Sequence, residues 1–397
     1  MRLFRLCRMI FFPILVLVLF VAIIPSVHAA TLVKEKRLLV KFQQNVDKKA
    51  IAAKHGAKIL SEIPKLNVAV LQSSDGALRE KLQKEKIDYI EEDAVATTLS
   101  NDPLYTSQWA LPKIQWDKLI SSSSAYNISS PSALIAVVDT GVDYTHPDLV
   151  GKVDTTNDFD FVNNDTDAMD DNLHGTHVAG IAAAATDNTT GVAGVSFNTV
   201  KILPIKVLDA GGSGYYSWIA SGIIYAADHG AKVINLSLGG SFNSTTLENA
   251  VNYAWNKGAV VVAAAGNSGT TAKSYPGAYT NAIGVWASTQ TDYRASFSTY
   301  GSWVDVGAPG VSILSTLPFT KDTTDGVQDG YTLLSGTSMA TPHVAGLAGL
   351  LFSQHPSWTA TQTRNKIQST ADSVPDREFS RGRLGSGRIN VYRALTQ

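Results

Sequence analysis

The stretch Ala133-Leu134-Ile135-Ala136-Val137-Val138-Asp139 is apolar without a break and ends in a carboxylate. A strand with one solvated face alternates apolar and polar residues. An unbroken run of this length instead predicts a strand covered on both faces, as in parallel sheets. Residues 201–208, 232–237 and 259–264 read the same way, and helical spacing over 174–185, 217–229 and 246–257 separates them. Strand and helix alternate, which predicts an α/β fold, doubly wound around a mostly parallel sheet. Functional groups collect at the carboxyl ends of such strands, where Asp139 stands.

Three further segments share that kind of position. His174-Gly175-Thr176-His177-Val178-Ala179-Gly180 puts a histidine at the start of a small-residue helix. In Ala263-Ala264-Ala265-Gly266-Asn267-Ser268-Gly269 an asparagine follows a buried strand directly. Gly336-Thr337-Ser338-Met339-Ala340-Thr341-Pro342-His343-Val344-Ala345-Gly346 sets two hydroxyls before a run too apolar for a surface helix. Thr337 or Ser338 is the expected N-cap, and a hydroxyl there meets the positive end of a buried helix. Each residue alone has a plain explanation: Asp139 a cap, His174 a satisfied histidine, Asn267 a turn, Ser338 incidental. Together they supply the acid, base, amide donor and hydroxyl that acyl transfer needs.

The chain has 397 residues, 44% hydrophobic and 17% charged, enough for a large α/β domain plus a smaller unit and too apolar for disorder. Residues 98–397 carry seventeen Lys/Arg against twenty-four Asp/Glu, a net of −7, and twenty-two of those acids are Asp. Short carboxylates favour turns and cation sites, and the lack of a basic stripe excludes nucleic acid as a partner. Cys7 is the only cysteine, within a basic start (Arg2, Arg5, Arg8), an apolar run from Met9 to Ile24 and a small-residue exit at Ala29 and Ala30. That pattern describes a secretory signal peptide over 1–30, the alternative being an uncleaved membrane anchor. Removal leaves an exported chain without disulfides, dependent on its core and on bound metal.

Residues 31–97 differ in character from the rest of the chain. Strand-like alternation at 37–42, 66–71 and 87–90, with helices over 47–55 and 77–86, predicts a small α+β, ferredoxin-like sheet backed by two helices. Residues 91–100 read as an exposed tether where proteolysis would separate this unit from 98–397.

Asp139-Thr140-Gly141, His174-Gly175-Thr176-His177 and Gly336-Thr337-Ser338-Met339-Ala340 resemble the three signature segments of the subtilisin-like serine proteases, in that family's Asp, His, Ser order. The similarity runs from about Asn101 to the C-terminus and looks closest to the thermitase branch; residues 31–97 resemble the family's inhibitory, chaperone-like propeptide. An α/β-hydrolase esterase does not fit, because the serine lies in Gly-x-Ser-x-Ala and the histidine precedes it. The resemblance implies Ser338 as nucleophile, His174 as general base, Asp139 as its orienting acid, and Asn267 with the Ser338 N–H as oxyanion hole. It implies Gly212-Ser213-Gly214 and Ser237-Leu238-Gly239 as edges that pair with an extended peptide substrate. Gly239, Ala264 and Gly266 would wall the primary pocket, and Tyr216, Ile219 and Leu238 a second apolar subsite. Small uncharged residues there suit large apolar or aromatic side chains and argue against a dibasic-specific enzyme.

Two cation sites are expected. Asp160, Asn163, Asp165 and Asp167 set oxygen ligands at intervals in one loop, a spacing that suits Ca²⁺, the alternative being a solvated acidic loop. By resemblance, Asp102, Asp148, Asn188 and Thr190, with carbonyls of Ala185 and Val192, would form the family's tight calcium site. Thermitase-like enzymes often carry a cysteine where this chain has Val178, so sensitivity to thiol reagents is not expected. Met339, beside the serine, is where oxidation would place a bulky sulfoxide. The reading is a secreted, monomeric, calcium-stabilised serine endopeptidase acting on proteins and peptides, made as a zymogen whose propeptide inhibits it and not membrane-bound once mature. The alternatives are a narrow-specificity maturation protease and an inactive binding homologue.

Overall fold

The computed structural model describes residues 36–93, 100–121, 133–323 and 327–397. The expected signal peptide and most of the tether lie outside them. Two compact units emerge, Met1–Ala96 and Thr97–Gln397.

In the first unit, β1 (Lys36–Phe42), α1 (Lys48–Lys54), β2 (Lys58–Ile63), β3 (Val68–Ser73), α2 (Leu78–Leu82) and β4 (Ile87–Glu92) succeed one another. The sheet is antiparallel in the order β2-β3-β1-β4, a ferredoxin-like arrangement. Leu38, Val40, Phe42, Ala69 and Leu71 meet Leu78 and Leu82 of α2 in its core. The sequence pattern does not reveal β2. Nearly all of Lys-Ile-Leu-Ser-Glu-Ile is exposed, so no buried face imposes alternation on this edge strand.

The second unit begins with two short helices, α3 (Ala110–Lys113) and α4 (Asp117–Ser121), before β5 (Ala133–Asp139). Then come β6 (Phe159–Asp160), α5 (His174–Ala183), β7 (Val200–Lys206), α6 (Tyr216–Asp228), β8 (Val233–Leu236), α7 (Thr245–Asn256) and β9 (Val260–Ala264). The chain continues through β10 (Ala282–Ser288), β11 (Val306–Pro309), the antiparallel pair β12 (Ile313–Thr316) and β13 (Tyr331–Leu334), and the long α8 (Thr337–Gln354). Seven strands form an all-parallel sheet in the order β11-β10-β9-β8-β5-β7-β6. The unbroken apolar run of β5 now has its cause. Ile135 and Val137 pack into one core with α5 and α8, Ala136 and Val138 into the other with α6 and α7.

Helix α8 is buried from Met339 to Phe352, with apolar residues on every side. Small residues make that possible: a Cβ on Gly349 would lie 2.9 Å from Ile135, and one on Gly346 2.7 Å from Val195. Its N-cap is Gly336 in extended backbone, not Thr337 or Ser338, and the first N–H of the helix, that of Thr337, is accepted by Asn267 from outside it. Both hydroxyls are inside the first turn, where they are free for other bonds.

Two buried histidines, His177 of α5 and His343 of α8, donate ring N–H groups to the carbonyls of Thr332 (3.1 Å) and Met339 (2.8 Å). Burial depresses both, His177 to about 3 and His343 to about 4, against the modest help of those carbonyls. Between pH 6.5 and about 4, therefore, the unfolded chain binds two protons that the folded chain refuses, and stability falls as pH falls across that window. Urea midpoints measured across it should show that decline, and His343→Gln should remove about one proton of the dependence. An unchanged slope in the variant would mean that His343 is already charged in the fold.

Candidate active site

Asp139 closes β5 and His174 opens α5, and the His174 Nδ1–H donates to Asp139 Oδ1 at 2.7 Å. The same oxygen accepts the Thr140 N–H at 2.8 Å. The bond to Asp139 fixes the imidazole tautomer and leaves Nε2 as the acceptor. The close approach needs Gly175, since a Cβ there would strike the Gly141 carbonyl. Burial disfavours the imidazolium, but the Asp139 charge and hydrogen bond, with Asp170 further off, outweigh it and hold His174 above its ordinary value.

Sequence reasoning missed the residues behind this pair. Asp170 is buried and accepts the hydroxyls of Thr140 (2.9 Å) and Thr176 (2.6 Å) and the N–H groups of Asn172 and Thr176 (both 2.9 Å). It ties the turn after Asp139 to the first turn of α5. Lys206, fully buried at the end of β7, donates to the carbonyls of Thr140 (2.9 Å) and Leu208 (2.8 Å) and to Asp171 (2.6 Å). In the sequence, acids before a helix read only as capping residues, and nothing marks Lys206 as buried.

Ser338 lies in the first turn of α8, half-buried. Its hydroxyl donates to the Ser237 carbonyl at 2.9 Å, and among the described residues no hydrogen bond joins it to His174. A loose nucleophile–base contact is ordinary in ligand-free enzymes and tightens when substrate arrives. Asn267 follows β9, and its Oδ1 accepts both the N–H (2.9 Å) and the hydroxyl (3.0 Å) of Thr337. With the oxygen engaged, the exposed amide Nδ2 is left to donate outward beside Gly336.

An open cleft of about 510 Å³ runs past His174. Gly212, Ser213 and Gly214 line it, as do Ser237, Leu238 and Gly239, with Tyr216 and Ile219 from α6. Ala264 does not line it, being buried as the last residue of β9. Gly266 has φ +96°, and a Cβ there or on Gly239 would press on Ser274 at 3.3 Å or 2.7 Å. Ser274 thus sits between the two glycines, and it too escaped sequence reasoning; it stands just before Tyr275–Pro276, whose peptide bond is cis.

The structure brings Asp102, Asp148 and the 185–192 loop together. Asp102 accepts the N–H groups of Asp187 (2.9 Å) and Asn188 (3.0 Å). Asp148 accepts from the Asn188 amide, the Val192 N–H and the Tyr331 hydroxyl, each at 2.9 Å, and the Thr190 N–H donates to Asn188 Oδ1. Asp148 is fully buried, which raises its carboxyl against the pull of those donors, and neither acid has a Lys or Arg partner among the described residues. Two buried carboxylates without a counter-charge in an oxygen-rich loop fit a hard cation. The 160–167 loop differs in exposure: Asn163, Asp165 and Asp167 are on the surface, where Asp102 and Asp148 are buried. Asp160 engages both oxygens with Val162 and Asn163, Asp165 accepts from the Asp167 N–H, and Asp167 accepts from Tyr144 and Met169. Among the described residues no three acidic or histidine side chains converge as a metal-binding group.

A profile of the subtilase family matches residues 131–387. The chain belongs to the subtilase family. A fervidolysin N-terminal prodomain profile matches residues 27–92, starting just inside the segment read as signal peptide. The thermophilic serine proteinase of Bacillus sp. (strain AK1) is 45% identical over 378 residues, covering 90% of this chain and 87% of that protein. Thermitase of Thermoactinomyces vulgaris is 51% identical over 297 residues, 74% of this chain and 98% of its own. A solved protease of Pseudoalteromonas arctica PAMC 21717 is 32% identical with a TM-score of 0.63, over 75% of this chain and 99% of that one. This subtilase is therefore a serine endopeptidase of the thermitase branch with an N-terminal prodomain.

If the Asp139 charge is what raises His174, the acid limb of kcat/KM should lie above pH 6.5. Asp139→Asn should move that limb down and cut kcat about 10⁴-fold, the cost of the same change in a serine protease of another fold. A variant whose acid limb stays in place would remove Asp139 as its cause.

Proposed function

We propose that Ser338 is the nucleophile, with His174 as general base and then general acid, Asp139 as its orienting carboxylate, and Asn267 with the Ser338 N–H as the oxyanion hole. His174 Nε2 takes the Ser338 proton as Oγ attacks the scissile carbonyl, and returns it to the leaving amine; water then repeats the cycle on the acyl-enzyme. The observation that carries this reading is the 2.7 Å bond from His174 to Asp139, which dictates the tautomer a base requires. Losing the Asn267 amide should cost about 10²–10³ in turnover, the figure measured for the corresponding donor in a subtilisin.

The enzyme is secreted, broad in specificity and selective for large apolar or aromatic residues; the small uncharged wall at Gly239, beside Leu238, Tyr216 and Ile219 in the cleft, supports this. It is made as a zymogen, with residues 31–97 as intramolecular inhibitor removed after export, and it acts as a monomer on proteins and peptides. Calcium is structural: Asp102 and Asp148, with oxygens of Asn188 and Thr190 and carbonyls of Ala185 and Val192, would hold it and fasten the segment around Asp102 to the body of the domain.

Denatured casein given to the wild type and to Ser338→Ala should be cleaved at many sites by the first and by the second not at all. Cleavage confined to a few sites would favour a maturation protease, and activity retained in Ser338→Ala would end the mechanism. Chelation should lower the thermal midpoint of Ser338→Ala, which cannot digest itself, and Asp148→Asn should abolish that response; equal midpoints with and without chelator would refute the calcium site.

A further inference from the structure

Pro342 lies inside α8, four residues after Ser338. A proline there has no N–H to give the carbonyl of residue i−4, and its ring pushes that carbonyl aside. The Ser338 carbonyl is therefore denied its helical donor. Its hydrogen bond comes from outside the helix: the Ser237 hydroxyl donates to it at 2.8 Å. Ser237 is buried, and its hydroxyl oxygen accepts in turn from the side-chain amide of Asn235, on β8, at 3.0 Å. The Ser237 backbone carbonyl accepts the Ser338 hydroxyl at 2.9 Å. Ser237 and Ser338 are thus joined twice, once in each direction, across the gap between the end of β8 and the start of α8.

We infer that the Ser237 side chain is a positioning residue for the nucleophile: it supplies the hydrogen bond that Pro342 withholds, and so fixes the backbone of Ser338 against β8. This rests on the reading of Ser338 as nucleophile. The bond has consequences for chemistry because residue 338 carries both the attacking hydroxyl and one of the oxyanion N–H groups. A shift of its backbone would displace both from the reacting carbon, and small misplacements of reacting groups are costly. The hydroxyl has no part in substrate pairing, which would use the backbone of residues 237–239, so its removal belongs to turnover rather than to binding.

Stability cannot isolate this role, since Ser237→Ala also leaves the Asn235 amide without its acceptor. A double-mutant cycle on kcat can. Ser237→Ala should lower kcat about tenfold, the order expected when a buried acceptor loses a hydrogen-bond donor, with KM within about twofold. Pro342→Ala restores an N–H at the position from which the helix itself can reach the Ser338 carbonyl. In that background the same Ser237→Ala change should cost less than about twofold, a coupling that two independent sites would not show. Equal losses in both backgrounds, or a loss confined to KM, would overturn the inference. If Ser237→Ala alone does not fold, the double variant must fold and turn over, and its failure would overturn the inference as well. Abolished activity in Ser338→Ala with no coupling in the cycle would leave the nucleophile standing and reject only the role of Ser237; activity retained in Ser338→Ala would reject the nucleophile first.

Discussion

The amide oxygen of Asn267 accepts two hydrogen bonds from Thr337, and through them the end of β9 is fastened to the first turn of α8. The Thr337 hydroxyl also accepts the Gly266 N–H at 3.1 Å, closing the joint. A helix that is apolar on every side has no solvated face to choose its rotation, so its small residues at Gly346 and Gly349 seat it against Val195 and Ile135. Directional bonds hold its first turn. They place Thr337 against β9, and the paired bonds between Ser338 and Ser237 place the next residue against β8. Ser338 is therefore carried by a deeply buried helix and held by polar contacts at that helix's first turn.

The sheet explains why the other groups converge there. With all seven strands parallel, their carboxyl ends lie on one side, and Asp139, the 237–239 edge and Asn267 lie at the ends of β5, β8 and β9, which are neighbours in the order. His174 arrives from the opposite kind of terminus, the start of α5. Asp170 secures that meeting, since its one carboxylate holds Thr140 on one side and Thr176 on the other and so bridges two backbone turns. Lys206 then neutralises charge at the back of the same loops, bound to Thr140, Leu208 and Asp171.

Much of this is legible in the sequence because burial on both faces leaves an unmistakable trace. β5, β7, β8 and β9 can be read to within a residue or two from their mostly apolar runs, broken in β7 by Lys201 and Lys206 and in β8 by Asn235, and α6 and α7 from their spacing. Each element that escapes has a physical reason to do so. β2 is exposed, so its residues are free of pattern. β10 is wholly buried, yet Gly284 interrupts its apolar run. Residue type favours Thr337 or Ser338 as the cap of α8, but their hydroxyls bond to residues at the ends of β8 and β9, across the fold, and that competition is invisible in a linear string. Asp170 and Lys206 each reach back across the fold to Thr140, and a contact of that kind leaves no trace in the linear pattern.

Two of the polar atoms left without partners belong to the same region. Asp139 Oδ2 and Asn235 Oδ1 are buried without a hydrogen bond among the described residues. Such groups are costly and uncommon in a settled core. Both stand on strands that carry or support the site: Asp139 ends β5, and Asn235 lies on β8 behind Ser237. Elsewhere these strands are packed with apolar residues on both faces, which is where the compensating stability must come from.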